Sequence, residues 1–465
     1  MTSNRRKEGP GARGQVVIVG GGISGLSAAY DLARAGADCI ILEKQPRLGG
    51  VIETRSWENC LIDCGPDSFI SQKPEALTLI RELGLESEVI GSNDRQRSTY
   101  ILKNGRLVAL PDGVMMIVPS RVMPMVRSPL LSWAAKIRMG LELFRRPGYS
   151  PDRSVADFVI DHFGQETLDY LAEPLLSGVY GGDPSQLSVA SVLPRFLQME
   201  AQYGSLGRAV FKARRKAPPG GGGSLFRTLK GGLGTLVDAL SKRVNVRQAE
   251  AVAIERREGG FQVRAGGDWM DADQVVIACP AHAAAALLAG VDGELARLLS
   301  GIPYSSSLTL SLIYRESEFD GQRAGFGFLV PKRERQRLAA CTFVGAKFPY
   351  RAPEDKIVLR CFFGGVGDEA VLSESDDALL AIAREELRRI LGLTAVPVFH
   401  AISRWPRSMA QYIVGHGSRV REIKDRAAAI PGLYLAGNAY EGIGIPDCIR
   451  TGREAAKRIL AAATS

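Results

Sequence analysis

The sequence predicts an α/β chain, α+β overall, that opens on a βαβ unit and continues into further strands and helical stretches. Three observations carry this. "QVVIV" (residues 15–19) is a β-branched run suited to a buried parallel strand, and it runs directly into Gly20, Gly21 and Gly22. A second glycine loop, "LAGNAYEGIGIP", emerges near the other end of the chain from the strand-like "GLYLAG" and leads into an amphipathic helix. Between them, "VNVRQAEAVAIERREGGFQVRAGGDWMDADQVVIACP" reads as several strands with turns at "EGG" and "AGGD".

The bulk properties bound what the chain does. Its 465 residues exceed the usual single domain, so two domains or one with large insertions are expected. The apolar fraction of 45% and charged fraction of 23% are those of a globular protein with a sizeable core. Net charge is +9, from 59 Lys and Arg against 50 Asp and Glu, and it is dispersed with no basic run interleaved with aromatics. That excludes a nucleic-acid partner and suits an acidic small molecule or an anionic membrane surface.

Seven cysteines (Cys39, Cys60, Cys64, Cys279, Cys341, Cys361, Cys448) at irregular spacings, no CxxC and only four histidines predict buried thiols in a reducing compartment. A disulfide framework or structural zinc is not expected. The apolar run after "MTSNRRKEGPGARG" is short and broken by glycines, as in a strand and unlike a signal sequence. No stretch reaches the ~18 to 20 apolar residues of a membrane span. The expectation is a soluble, cytoplasmic protein.

"GGGISG" supplies Gly20, Gly22 and Gly25 in the pattern G-x-G-x-x-G, with Gly21, Ile23 and Ser24 completing the loop. The first glycine permits a tight turn, the second lets a pyrophosphate approach the backbone, and the third lets helix and strand pack closely. "ISGLSAAYDLARAG" then shows helical spacing with Gly36 as a stop. The helix start offers free N–H groups and partial positive charge to phosphates. The next strand, "DCIILE", ends at Glu43, placed to accept from ribose hydroxyls. Just beyond lie Lys44, Arg47, Gly49 and Gly50, a cation and a second glycine turn that suit a longer, extended dinucleotide and favour FAD over NAD. "DCGPDSF" adds Gly65, Pro66, Asp67 and Ser68, a rigid turn able to bring backbone close to a flat ring.

Elsewhere, helical patterns run from Ala76 to Leu85 and from Ser154 to Leu176, and "VDALSKR" is helical. "RRKAPPGGGGSLF" (Arg214 to Phe226) is a loop or linker. Val114 to Phe144 is rich in methionine and bulky apolar residues, and its pattern favours a core-facing helical bundle over a membrane surface.

From "ExxxRxGG" at Glu43 to Gly50, the chain resembles the amine oxidase superfamily of flavoproteins, which includes monoamine oxidases, phytoene desaturases and porphyrinogen oxidases. "EPLLSGVYGGDPSQLSVASVLPRF", "GFGFLVP", "RWPRSMAQYIVGH" and "YEGIGIPDCIRTG" resemble the protoporphyrinogen and coproporphyrinogen oxidase branch, and the likeness spans residues 15 to 462. The resemblance implies a Rossmann-type FAD-binding domain of the amine oxidase/p-hydroxybenzoate hydroxylase type built from 14–88, 225–288 and 400–465. It implies a mixed-sheet substrate-binding domain from 89–97, 171–224 and 289–399, and a cavity-lining helical insert over 98–170.

In that superfamily the first loop holds the ADP half of FAD and the C-terminal strand–loop–helix holds the flavin half. Gly437 and Asn438 then fall at the strand end, and Gly444, Ile445 and Pro446 at the approach to the flavin pyrimidine. A helix starting near Pro446 would stabilise negative charge at the flavin N1–C2 carbonyl. Ala251 occupies the position whose backbone meets adenine, where the family usually has Val, and Trp405 matches an aromatic set against the flavin.

The resemblance further implies a six-electron oxidation of a porphyrinogen to a porphyrin with O2 as acceptor and hydrogen peroxide as product. Flavin N5 carries the chemistry, so no catalytic side chain and no metal site are expected. His416 belongs to a family motif and fits a structural role as well as a catalytic one. For the substrate, the resemblance implies that the Gly178 carbonyl faces the pyrrole N–H groups and that Leu329 and Phe362 sandwich the macrocycle. Each of the latter two is equally readable as core. Thr99, with Arg97 two residues before it, and Thr342 stand where protoporphyrinogen-type enzymes place an arginine and an apolar residue. These polar choices favour coproporphyrinogen III, with its four propionates, over protoporphyrinogen IX. Another superfamily oxidase and a non-catalytic porphyrin carrier remain as rivals. Hand-off to a chelatase, peripheral contact of the insert with the inner face of the membrane, and a homodimer stay open.

Overall fold

The computed structural model describes residues 15–94, 97–115, 117–148, 151–216, 224–323 and 325–463; the centre of the expected linker, 217–223, lies outside them. The first architectural unit is a five-stranded parallel sheet in the order Val246–Gln248, Cys39–Glu43, Val16–Val19, Gln274–Ile277, Leu433–Leu435. Its central strand is buried on both faces, and alternate residues enter different cores. Val16 and Ile18 pack with the helices Ile23–Arg34, Glu75–Glu82, Gly234–Ser241 and Ile445–Ala462. Val17 and Val19 pack toward the antiparallel strands Ala251–Arg257, Gly260–Ala265 and Asp268–Ala272 and the helices Ala281–Leu288 and Gly293–Ser300.

The predicted punctuation holds in most places. Gly36 adopts φ +72° after the first helix, and the expected "EGG" and "AGGD" turns use Gly259 (φ +82°) and Gly266 and Gly267 (φ +61° and +93°). The single helical pattern Ser154–Leu176 is instead broken. Gly164, at φ +87°, ends the Val155–Phe163 helix, and a π-type turn at Leu168–Ala172 precedes the Glu173–Tyr180 helix. A glycine in the left-handed region leaves no continuous i to i−4 ladder, although apolar spacing carries on past it.

The second unit is a mixed seven-stranded sheet ordered Phe399–Ala410, Tyr304–Arg315, Lys356–Gly364, Ala340–Phe343, Gly327–Leu329, Thr99–Lys103, Arg106–Ala109. All pairs are antiparallel except Gly327–Leu329 with Thr99–Lys103. The division drawn from sequence opens a cofactor-binding segment at residue 400, whereas the strand Phe399–Ala410 hydrogen-bonds into this second sheet. One face carries Leu102, Leu310, Phe328, Cys341 and Cys361 against the helix Asp376–Leu391. Strand alternation therefore turns Thr99, Leu329, Thr342, Arg360 and Phe362 to the opposite face.

In the insert, Ser132 caps the Trp133–Leu141 helix by accepting from the Ala135 N–H at 3.2 Å. Ala135 and Met139 turn inward, but Trp133, Ile137, Leu141 and Phe144 are exposed, Phe144 at 80%. The core-facing bundle predicted for this segment thus describes only one of its sides.

Candidate active site

Each glycine of the first loop has a distinct steric environment. A Cβ on Gly25 would collide with the Gly20 carbonyl oxygen, and one on Gly20 would lie 2.9 Å from the Ala278 carbonyl. Gly22 has open space where its Cβ would be. Close packing at the flanking glycines and free approach at the middle one is the arrangement a pyrophosphate needs. Glu43 closes the loop from the next strand: its Oε2 accepts from the Gly21 N–H at 2.7 Å and its Oε1 from the Gln45 N–H at 2.8 Å. Each oxygen keeps a lone pair for a ribose hydroxyl.

The adjoining turn docks on the first. The Gly49 N–H donates to the Gly21 carbonyl at 2.8 Å, Gly49 and Gly50 have φ of +97° and +60°, and Gly22 bridges Gly49. Arg47 Nη2 donates to the Gly50 carbonyl at 2.6 Å, and the guanidinium lies over the Trp405 ring at 5.7 Å. Lys44 is exposed, 3.6 Å from Glu250, and Ala251 opens its strand half-buried.

The turn Cys64–Gly65–Pro66–Asp67 is gripped from the second sheet. Thr309 Oγ1 and Trp405 Nε1 both donate to the Cys64 carbonyl, at 2.7 and 2.9 Å. Arg360 Nη2 donates to the Gly65 carbonyl, and Lys347 Nζ binds both Asp67 oxygens at 3.0 and 2.8 Å. Ser68 Oγ donates to Asp67 Oδ1 at 2.6 Å. Burial alone would push the Asp67 carboxyl up, but Lys347 and Arg360 beside it hold it well below the usual carboxylate range.

At the far end of the chain, Gly437 (φ +127°) has open space at its Cβ position, and its N–H donates to Thr451 Oγ1 at 3.1 Å. Asn438 Nδ2 donates to the Ser408 carbonyl at 3.1 Å. Gly444 caps the helix, with Ile445 and Pro446 at its first two positions, so it begins one residue before the expected start. Asp447, on the next position, is clamped by Lys73 Nζ at 2.6 Å. Two loops from opposite ends of the sequence, each leaving a glycine open, thus lie against one parallel sheet. An elongated dinucleotide fits this arrangement.

The candidate substrate residues fall on one face of the second sheet. Gly327 pairs with both Thr99 and Thr342, Thr342 with Arg360, and Ala340 with both Leu329 and Phe362. A Cβ on Gly178 would lie 3.6 Å from Leu329 Cδ2, so that helix abuts the same face. Arg97 is exposed and lies outside the strand. His416 stacks on Tyr412 at 4.0 Å, and its Nε2 lies 3.2 Å from the Tyr440 carbonyl. Burial pushes its pKa down to about 4, which leaves it neutral at neutral pH.

The sequence pattern of the flavin containing amine oxidoreductase family matches residues 23–460. The chain belongs to this family. As a flavin containing amine oxidoreductase it takes FAD. Coproporphyrinogen III oxidase of Bacillus subtilis is 33% identical over 95% of this chain and 96% of its own length. Protoporphyrinogen oxidase 1, chloroplastic, of Arabidopsis thaliana is 30% identical over 95% of this chain and 87% of its own length. A crystal structure from Exiguobacterium, provisionally named a protoporphyrinogen oxidase, covers 98% of this chain and 99% of its own at TM-score 0.85 and 31% identity.

Sequence reasoning missed Thr309, Lys347, Arg360 and the Lys73–Asp447 clamp. Only Arg360 left a signal, as a charge flanked on both sides by apolar residues in the strand "KIVLRCFFG".

Proposed function

We propose that this flavin containing amine oxidoreductase oxidises coproporphyrinogen III to coproporphyrin III, with O2 as the final acceptor and hydrogen peroxide released. Bound FAD supplies two-electron hydride acceptance, so three cycles remove six electrons and six hydrogens and consume three O2. The chain's own part is to position the macrocycle and keep the cofactor turn rigid. The observation that carries the reading is the shared face on which polar Thr99, Thr342 and Arg360 lie beside apolar Leu329 and Phe362, next to the Cys64–Asp67 turn. A flat ring edged by carboxylates suits such a face. Relatives named coproporphyrinogen III oxidase support it, among them that of Bacillus subtilis.

Protoporphyrinogen IX is the second reading, favoured by the Arabidopsis relative. Porphyrin fluorescence under air, followed with each porphyrinogen separately, decides between them. A higher kcat/KM on protoporphyrinogen IX would overturn the first assignment, and turnover of neither would overturn both.

We further infer that the insert seats the protein peripherally on an anionic bilayer. Among the described residues no helix is long and apolar enough to cross a membrane. Trp133, Ile137, Leu141 and Phe144 instead form one exposed apolar stripe, and from residue 121 to 146 the only acidic residue, Glu142, is buried. That carboxylate accepts from the Leu206 N–H at 2.6 Å and anchors a helix that presents Arg208 and Lys212. Exposed aromatics framed by cations match an anionic lipid surface.

A further inference from the structure

We propose that Arg360 is a positioning residue that ties the flavin-side turn to the macrocycle-facing ring of Phe362 and holds a surplus positive charge behind that turn. The proposal rests on FAD binding at Cys64–Asp67; only its turnover readout rests on the porphyrinogen reading.

Arg360 is 4% exposed, in a strand whose neighbours Leu359 and Cys361 are fully buried. Burying a guanidinium carries a desolvation penalty of several kcal/mol unless it is well paired. Among the described residues its pairing is directed at two places. Nη2 donates to the Gly65 carbonyl and Nη1 lies 3.9 Å from Asp67 Oδ2, which fixes the turn. The guanidinium plane also lies over the Phe362 ring, 4.7 Å from its centroid. One side chain therefore touches both the loop assigned to the flavin and the ring assigned to the substrate. Its Nε–H is buried and has no hydrogen-bond partner among the described residues, so the fork retains one unused donor there.

The local charges do not cancel. Lys347 and Arg360 share Asp67, while Arg351 binds Asp63 Oδ2 at 3.2 Å. Three cations face two carboxylates, and one positive charge is left over. In a water-excluded site such a charge acts more strongly than at the surface. A positive charge beside the ring favours the reduced flavin, the more negative of its two states. Lysine would keep the charge but not the planar fork that reaches Gly65 while lying on Phe362.

The test compares parent, R360Q and R360K as FAD-loaded proteins. Two quantities are read: the midpoint potential of bound flavin by anaerobic dye-equilibrated reduction, and kcat and KM with each porphyrinogen. In R360Q the potential becomes more negative, and kcat falls about 10- to 100-fold through loss of alignment, with KM changed less than about 3-fold. R360K restores the potential but not kcat. Parent-like potential and kcat in R360Q would overturn the proposal, as would full recovery of both by R360K. Should R360Q not fold, R360K alone decides, because a parent-like kcat there removes the positioning role. Loss of FAD and of Tm in both variants, with any residual holoenzyme fully active, would reduce Arg360 to a structural ion and equally overturn it. If the parent turns over neither porphyrinogen, the substrate reading fails while the potential still decides the role of Arg360.

Discussion

Gly452 lies against the Ser24 carbonyl oxygen so closely that a Cβ at 452 would collide with it. Ser24 lies in the first turn of the Ile23–Arg34 helix and Gly452 about two turns into the Ile445–Ala462 helix, so this contact sets how closely the first and last helices pack. G452A should lower stability by about 1 to 3 kcal/mol through overpacking. It should also reduce FAD occupancy, read from flavin absorbance per protein.

Gly22 and Gly25 should behave oppositely. Gly22 has φ −69° and open space at its Cβ position, so alanine fits the apo fold. G22A is expected to leave apo stability within about 0.5 kcal/mol while weakening FAD binding, because its methyl occupies the phosphate approach. G25A should destabilise even without cofactor. Calorimetry with and without FAD separates the two.

The Cys64 carbonyl takes hydrogen bonds from both Thr309 and Trp405. T309V and W405F should each cost about 1 kcal/mol, and the double variant more than the sum, because the carbonyl is then left unsatisfied. Urea unfolding of the four proteins closes the cycle.

His416 carries a pH dependence. Its pKa is pushed from 6.5 down to about 4 by burial, so between those values the unfolded chain binds the proton and the folded protein does not. Stability from this group is fully present above pH 6.5 and is lost as pH falls toward 4, by on the order of 3 kcal/mol. H416F should flatten that part of the stability curve relative to the parent. An unchanged acid slope in H416F would refute the assignment.

The exposed stripe of the insert should bind vesicles containing anionic lipid and ignore neutral ones at low salt. Serine at Trp133 and Phe144 together should abolish co-sedimentation without altering Tm by more than a degree or two, since both side chains are exposed at 65% and 80%. Retained binding in that variant would remove the membrane reading.

The sequence by itself determined the two glycine loops, because a tight turn, a close approach and a helix–strand contact each restrict residue type at one position. It also determined the opening βαβ unit, whose strands VVIV and CIILE are apolar β-branched runs, whereas the outer strands VRQ and LYL carry no such pattern. Glu43 and Asp67 stood out from the residues and Trp405 from the resemblance, but not what holds them. Only tertiary structure decided that Thr309, Lys347 and Arg360, from distant segments, converge on one short turn. It likewise decided that the Trp133–Leu141 helix buries Met139 yet exposes Ile137. Apolar periodicity reports that a face is hydrophobic and is silent on what that face meets. Strand pairing across hundreds of residues, which has no local signature, decides which side chains share a site.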